Sequence, residues 1–142
     1  MTYQLSLGDA VLDDDHSCLA QLMEQLRDGP IAQAVITLDG LREHAHRHFE
    51  LENLELRNMK DGNAQCHIDE HAAVLQSLGE VRTFLIDDGM SQDAKAALVQ
   101  RLAARLIEWL PEHVHAMDAG VAAHRFKQRF DGAPIIVRRL AG

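Results

Sequence analysis

The sequence predicts an all-α protein: one domain, folded as an up-down-up-down four-helix bundle, with an N-terminal arm and a short extended C-terminal tail. Three observations carry that expectation. Apolar residues recur at three- and four-residue spacing in four segments, the period of a helix with one buried face. Turn-forming clusters separate the segments: Asp28-Gly29-Pro30, Lys60-Asp61-Gly62-Asn63 and Asp87-Asp88-Gly89. A chain of 142 residues, 46% of them hydrophobic, fits one domain with a real core.

Residues 1–12 contain Gly8 and show no helical period, so they are expected to lie over the bundle as an arm. The run Asp13, Asp14, Asp15 is expected to open the first helix, where acidic side chains meet the positive end of the helix dipole. Leu19, Leu22, Met23 and Leu26 form its apolar stripe. A second helix should run from near Ile31 to Met59 through Leu38, Leu41, Ala45, Phe49 and Leu56. The third spans about Ala64 to Ile86, with Ala72, Leu75, Leu78, Val81 and Leu85 recurring. Ser91 is placed to cap the fourth, which carries Leu98, Leu102, Leu106 and Trp109 on one side. Pro111 lies within that last pattern and should kink it or remove one backbone hydrogen bond. The bundle thus covers about 13–125 and the tail about 126–142, where Pro134-Ile135-Ile136-Val137 is expected to pack in extended form.

Charge and hydropathy exclude several functions. A formal charge of −8 argues against nucleic acid as a partner, since phosphates need a basic face. The apolar runs are short and broken by charges, so no segment is expected to span a membrane. The first fifteen residues lack a basic start and an apolar stretch, which points to the cytoplasm. Cys18 and Cys66 have no CxxC spacing, so reduced thiols are expected, with a redox-linked pair as a minor alternative. The basic residues after Asp118 (Arg125, Lys127, Arg129, Arg138 and Arg139) are expected to be solvated and to complement a helix C-terminus.

Nine histidines are many for an acidic, aromatic-poor chain, and their spacing is ordered. His48 and Glu52 are four residues apart on the second helix, hence on one face and about 6 Å apart along its axis. His67 and His71 repeat the spacing on the third helix, the fourth carries His113 and Asp118, and the first carries His16 near its start. Candidate metal ligands therefore come from all four helices, and bundle cores commonly hold metals on facing side chains. Imidazole with carboxylate suits iron and neighbouring divalent metals in octahedral coordination. If Glu52 and Asp118 bridge two ions together with one solvent oxygen, each ion keeps three positions. Three histidines complete one ion, and two leave the other a single vacancy.

These segments resemble the hemerythrin family, the bacteriohemerythrin branch in particular. The resemblance covers nearly all of Leu5 to Asp118: Leu5-Ser6-Leu7-Gly8 with Asp13 through His16 and Leu19, His48-Phe49-x-x-Glu52, His67-x-x-Glu70-His71, and Trp109-Leu110-x-x-His113-Val114-x-x-x-Asp118. It implies that His67, His71 and His113 hold a saturated iron and that His16 and His48 hold the open one. Glu52 and Asp118 would bridge the two non-haem irons beside an oxo or hydroxo group. It further implies reversible dioxygen binding, for carriage, storage or delivery, rather than enzymatic turnover. A di-iron enzyme or sensor handling nitric oxide, peroxide or oxygen is the alternative.

Departures from the family pattern are Asn53, where relatives carry an acid, Pro111 before His113, and His44 one turn before His48. Asn53 is expected outside the coordinating set, and His44 either beside it or lining the oxygen pocket. Glu70 is expected to point outward, and His46, His115 and His124 to be solvated. Phe49 and Trp109 are expected in the core, as dry walls near the ligands. The five-residue spacing of His113 and Asp118 turns the second side chain by about 140° on an ideal helix. An irregular fourth helix, through a π-bulge or the Pro111 kink, is therefore expected across residues 109–120.

Overall fold

The computed structural model describes residues 5–59 and 62–129. Helix α1 spans Ala10–Asp28, α2 Ala34–Met59 after a single 3₁₀ turn at Ile31–Gln33, α3 Ala64–Leu85 and α4 Gln92–His113. A π turn, Val114–Asp118, joins α4 to α5, Ala119–Arg129, so the fourth rod of the bundle is one chain path with a widened segment in it. Helix α1 packs on α2 and α4, and α3 packs on α2 and α4. Among the described residues there is no strand, and no helix is long and apolar enough to cross a membrane.

The first helix begins three residues earlier than the aspartate run suggests. Asp9 is its cap: one carboxylate oxygen accepts the backbone N–H groups of Val11 and Leu12 at 3.1 and 3.2 Å. Asp13 instead ties down the arm, accepting the N–H of Leu7 at 2.8 Å and that of Gly8 at 3.2 Å. Gly8 has φ +80°, a conformation that glycine adopts without steric cost, and the turn there brings Leu5 into the core. The arm is therefore short, and Ala10 to Leu12 belong to the helix.

Asp9 also corrects the reading of the basic segment. Its second oxygen is 2.8 Å from Arg125 Nε and 3.5 Å from Arg129, and Arg125 reaches Glu55 of α2 at 3.4 Å. Arg125 therefore staples α5 to the arm and to α2 instead of lying free in solvent, and the helical bundle continues past residue 125. The expected extended segment at 134–137 lies outside the described residues. Ser91 caps α4, accepting the N–H of Ala94 at 3.1 Å.

Two apolar cores are stacked along the bundle. The larger contains Leu19, Met23, Leu38, Leu41, Phe49, Leu78, Leu106 and Val114. The smaller is Leu12, Leu56, Val121 and Ala122 near the other end. On α1, His16 falls between Leu12 and Leu19; on α2, Glu52 falls between Phe49 and Leu56; on the fourth rod, Asp118 falls between Val114 and Val121. A polar belt one turn deep thus divides the cores, flanked by apolar side chains on both sides.

Candidate metal centre

All seven sequence-predicted residues enter that belt. His16, His48, Glu52, His67, His71, His113 and Asp118 are each no more than 3% exposed. The four-residue spacings put His48 over Glu52 on α2 and His67 over His71 on α3. His113 and Asp118 share the belt because of the π turn: its wider bonding absorbs the fifth residue that would rotate Asp118 away on a regular helix. The expected irregularity is present, at Val114–Asp118, directly after the turn that Pro111 enters without an N–H to donate.

The seven side chains form two overlapping groups. Glu52, His67, His71, His113 and Asp118 offer donor atoms within 4.8 Å of one another, and so do His16, His48, Glu52 and Asp118. The two carboxylates belong to both groups, whereas the histidines divide three and two. Within the first group, His71 Nε2 and His113 Nε2 are 3.1 Å apart, and His67 Nε2 is 3.2 Å from His113 Nε2.

Whether these residues suit a metal is decided by their lone pairs. His71 Nδ1 is 2.8 Å from Asn53 Oδ1, and His113 Nδ1 is 2.8 Å from Glu70 Oε1. Each acceptor holds the ring proton on Nδ1, so the two facing Nε2 atoms both present lone pairs in the neutral rings. Lone pairs 3.1 Å apart repel unless a proton or a metal ion lies between them. On the other side, Asp15 Oδ2 is 2.8 Å from His48 Nδ1 and leaves its Nε2 bare in the same way. His16 Nε2 approaches Asp118 Oδ2 at 2.9 Å, and His48 Nε2 approaches Glu52 Oε1 at 3.3 Å. Neither approach has hydrogen-bond alignment, and both oxygens of Glu52 are buried without a hydrogen-bond donor. Buried polar atoms in globular proteins are nearly always paired. Unpaired donor atoms converging from four helices are what a cation site requires, and imidazole with carboxylate fits iron and related divalent ions.

Comparison with known proteins agrees with this geometry. The family described as Hemerythrin HHE cation binding domain matches residues 7–124, most of the chain. The chain belongs to the hemerythrin family. It is also 35% identical over 114 residues to a protein named Bacteriohemerythrin from Ralstonia nicotianae (strain ATCC BAA-1114 / GMI1000), covering 80% of this chain and 79% of that one. No solved structure matches the chain.

In this hemerythrin domain the belt histidines have outer partners that spacing alone does not identify. Glu70, expected to face outward, turns toward α4. Its Oε1 accepts from both His113 Nδ1 at 2.8 Å and Trp109 Nε1 at 2.7 Å. Glu70 is about 100° around α3 from His71, which lets it reach the neighbouring helix while one side of its carboxylate stays open to solvent. Asp15 serves His48 across 33 residues of sequence. Asn53 lies outside the donor group, as expected, and orients His71. His44 is half-buried beside the belt, its Nε2 3.6 Å from Asp15 and its Nδ1 3.7 Å from Cys18 Sγ. Cys18 and Cys66 are both free thiols. His46 and His115 are exposed as expected; His124 is half-buried near Glu55, at 3.6 Å, rather than solvated. Phe49 is buried and stacks on His71 with centroids 4.1 Å apart and planes 6° from parallel. Trp109, only partly buried, stacks on His113 at 4.4 Å.

The electrostatics of the metal-free belt are those of a stranded cation site. Burial opposes charge on His48, but the neighbouring carboxylates of Glu52 and Asp15 outweigh it and push the imidazole up to about 9. Burial likewise opposes charge on His113, which Asp118 and Glu70 nonetheless raise. In His71 burial wins, and its pKa is lowered despite Glu52. Burial works against both carboxylates as well, yet Glu52 is held below its ordinary range by His48 and His71, and Asp118 by His113, His16 and His67. In the absence of a metal, a proton on His48 supplies positive charge beside the buried carboxylates.

Proposed function

We propose that this protein holds two non-haem iron ions with Glu52 and Asp118 between them and binds dioxygen reversibly. One ion would take His67, His71 and His113, the other His16 and His48. When bound, the iron pair supplies the two electrons that dioxygen accepts on binding and returns on release. The observation that supports the reading is the division of the cluster: two shared carboxylates, three imidazoles on one side and two on the other. The side of His16 and His48 has one donor fewer and so has room for a small exogenous ligand.

The chain's own residues do the remaining work. Five imidazoles against two carboxylates limit the anionic charge on the cluster, which favours release of a bound diatomic over deeper oxidation. Leu12 and Leu19 on α1 and Phe49 and Val114 on the facing helices, none more than 2% exposed, wall the belt in apolar side chains and keep bulk water and reductants out. Asp15, Asn53 and Glu70 fix the tautomers of His48, His71 and His113 so that their Nε2 atoms face inward.

The test is an iron assay combined with visible absorption spectra of the reduced anaerobic protein, taken again after oxygen and after its removal. A ligand-to-metal charge-transfer band that appears with oxygen and disappears on degassing is expected, over repeated cycles. Irreversible oxidation in the first cycle, or rapid turnover with nitric oxide or peroxide, would replace carriage with the enzyme or sensor reading.

A further inference from the structure

Three histidines surround one side of the cluster, and α3 controls all three. It carries His67 and His71 itself, and through Glu70 it reaches across to His113 on α4. One oxygen, Glu70 Oε1, accepts two donors: the ring N–H of His113 and the indole N–H of Trp109. The indole is held over the His113 ring, at 4.4 Å between centroids and 28° between planes. Glu70 and Trp109 also wall an open groove of 640 Å³ between α3 and α4, with Ala73, Leu106 and Glu112. The Glu70 side chain is 31% exposed there, so the carboxylate meets solvent on one side and the buried histidine on the other.

The three outer partners differ in kind. His71 has the neutral amide of Asn53, whereas His113 and His48 have the carboxylates of Glu70 and Asp15. A carboxylate accepting the Nδ1 proton shifts electron density toward Nε2 and makes that nitrogen a stronger donor than an amide partner does. We propose that Glu70 is a positioning residue whose negative charge, and not only its hydrogen bond, strengthens His113 as a metal ligand while holding Trp109 against that ring. The inference rests on the reading of the cluster as a metal site. It makes His113 a stronger imidazole donor than His71 on the three-histidine side.

Because a single oxygen accepts both donors, Glu70→Gln can retain both hydrogen bonds and lose only the charge. Glu70→Ala loses both. Trp109→Phe removes the indole N–H and leaves Glu70 on His113. Each full-length variant is loaded anaerobically with ferrous iron, and iron per chain and its loss to a ferrous chelator are measured, with the thermal midpoint of the metal-free form alongside. Glu70→Gln is expected to keep the metal-free midpoint and to hold iron about 10–100-fold more weakly, with Trp109→Phe close to the parent. In Glu70→Ala, acetate entering the groove should restore part of the affinity and acetamide should not. Glu70→Gln binding iron as tightly as the parent overturns the proposal, as does equal rescue by acetamide. A parent protein that takes up no iron sinks the metal reading itself, a result distinct from either.

Discussion

Phe49 offers the sharpest test of how packing and ligation are joined. Its ring is 2% exposed, lies parallel to His71 at 4.1 Å, and meets Trp109 edge-on at 6.3 Å. Truncating a buried phenylalanine to alanine costs roughly 3–5 kcal/mol through lost transfer energy and the cavity left behind. The stacked and edge contacts place Phe49→Ala in the upper half of that range, about 4 kcal/mol. For a domain of this size, at roughly 3–4 °C per kcal/mol, the metal-free midpoint should fall by about 12–16 °C. Phe49→Leu refills most of the volume and should cost only about 1–1.5 kcal/mol. Both variants free the His71 ring to rotate, since Asn53 alone then orients it. The metal-loaded protein should therefore lose more than the metal-free protein in both, by about 1.4–2.7 kcal/mol for a 10–100-fold loss of affinity. Calorimetry on both forms of both variants supplies the numbers. Equal losses in the loaded and metal-free forms would refute the idea that Phe49 orients a ligand, and a metal-free drop of only a few degrees would refute the packing estimate.

Further expectations concern the staple, the protons and the indole. Asp9→Ala removes both the cap of α1 and the partner of Arg125, and should cost about 2 kcal/mol in urea denaturation, whereas Asp9→Asn keeps the cap and should cost about half. Burial raises the pKa of Asp9, but Arg125 and the Leu12 N–H outweigh it and hold it below its ordinary 3.8. The ionic part of that stabilisation should be complete above about pH 4 and vanish as pH falls through the lower folded value, so the parent and Asp9→Asn should converge in acid. In the metal-free protein, His48 should titrate near pH 9 by NMR; its raised pKa stabilises the fold fully below about 6.5 and loses that contribution as pH rises through about 9. Metal uptake below that value should release protons, measurable in weakly buffered solution, and zero release would contradict the assignment of His48 as a ligand. Trp109 is the single tryptophan and stacks on His113, so its emission should fall in step with iron loading; unchanged emission at full loading would argue that His113 binds no metal.

Much of this architecture was legible in the sequence because helical periodicity and i, i+4 ligand spacing are local properties. Leu38, Leu41, Phe49 and Leu56 mark the buried face of α2, and His48 with Glu52 mark the polar turn on that face without knowledge of any neighbour. The π turn could be anticipated as well, since five residues between His113 and Asp118 are incompatible with one face of a regular helix. Contacts between helices were less readable. Glu70 sits beside His67 and His71 on α3, and only the rotation of α3 against α4 shows that it reaches His113. Asp15 reaches His48 across two helices for the same reason. The start of α1 is hidden in the sequence by three consecutive aspartates: Asp9 caps through its own geometry, whereas Asp13 is used by the arm. Nothing local to Arg125 marks it as paired, because its partner, Asp9, is 116 residues away in the chain.

The central claim is that a single buried belt of five imidazoles and two carboxylates holds two ions. A crystal of the iron-loaded protein, measured at the iron absorption edge, tests it most directly. The account predicts two anomalous peaks, one among His67, His71 and His113 and one beside His16 and His48, with Glu52 and Asp118 between them. One peak, or iron bound outside the belt, would contradict it.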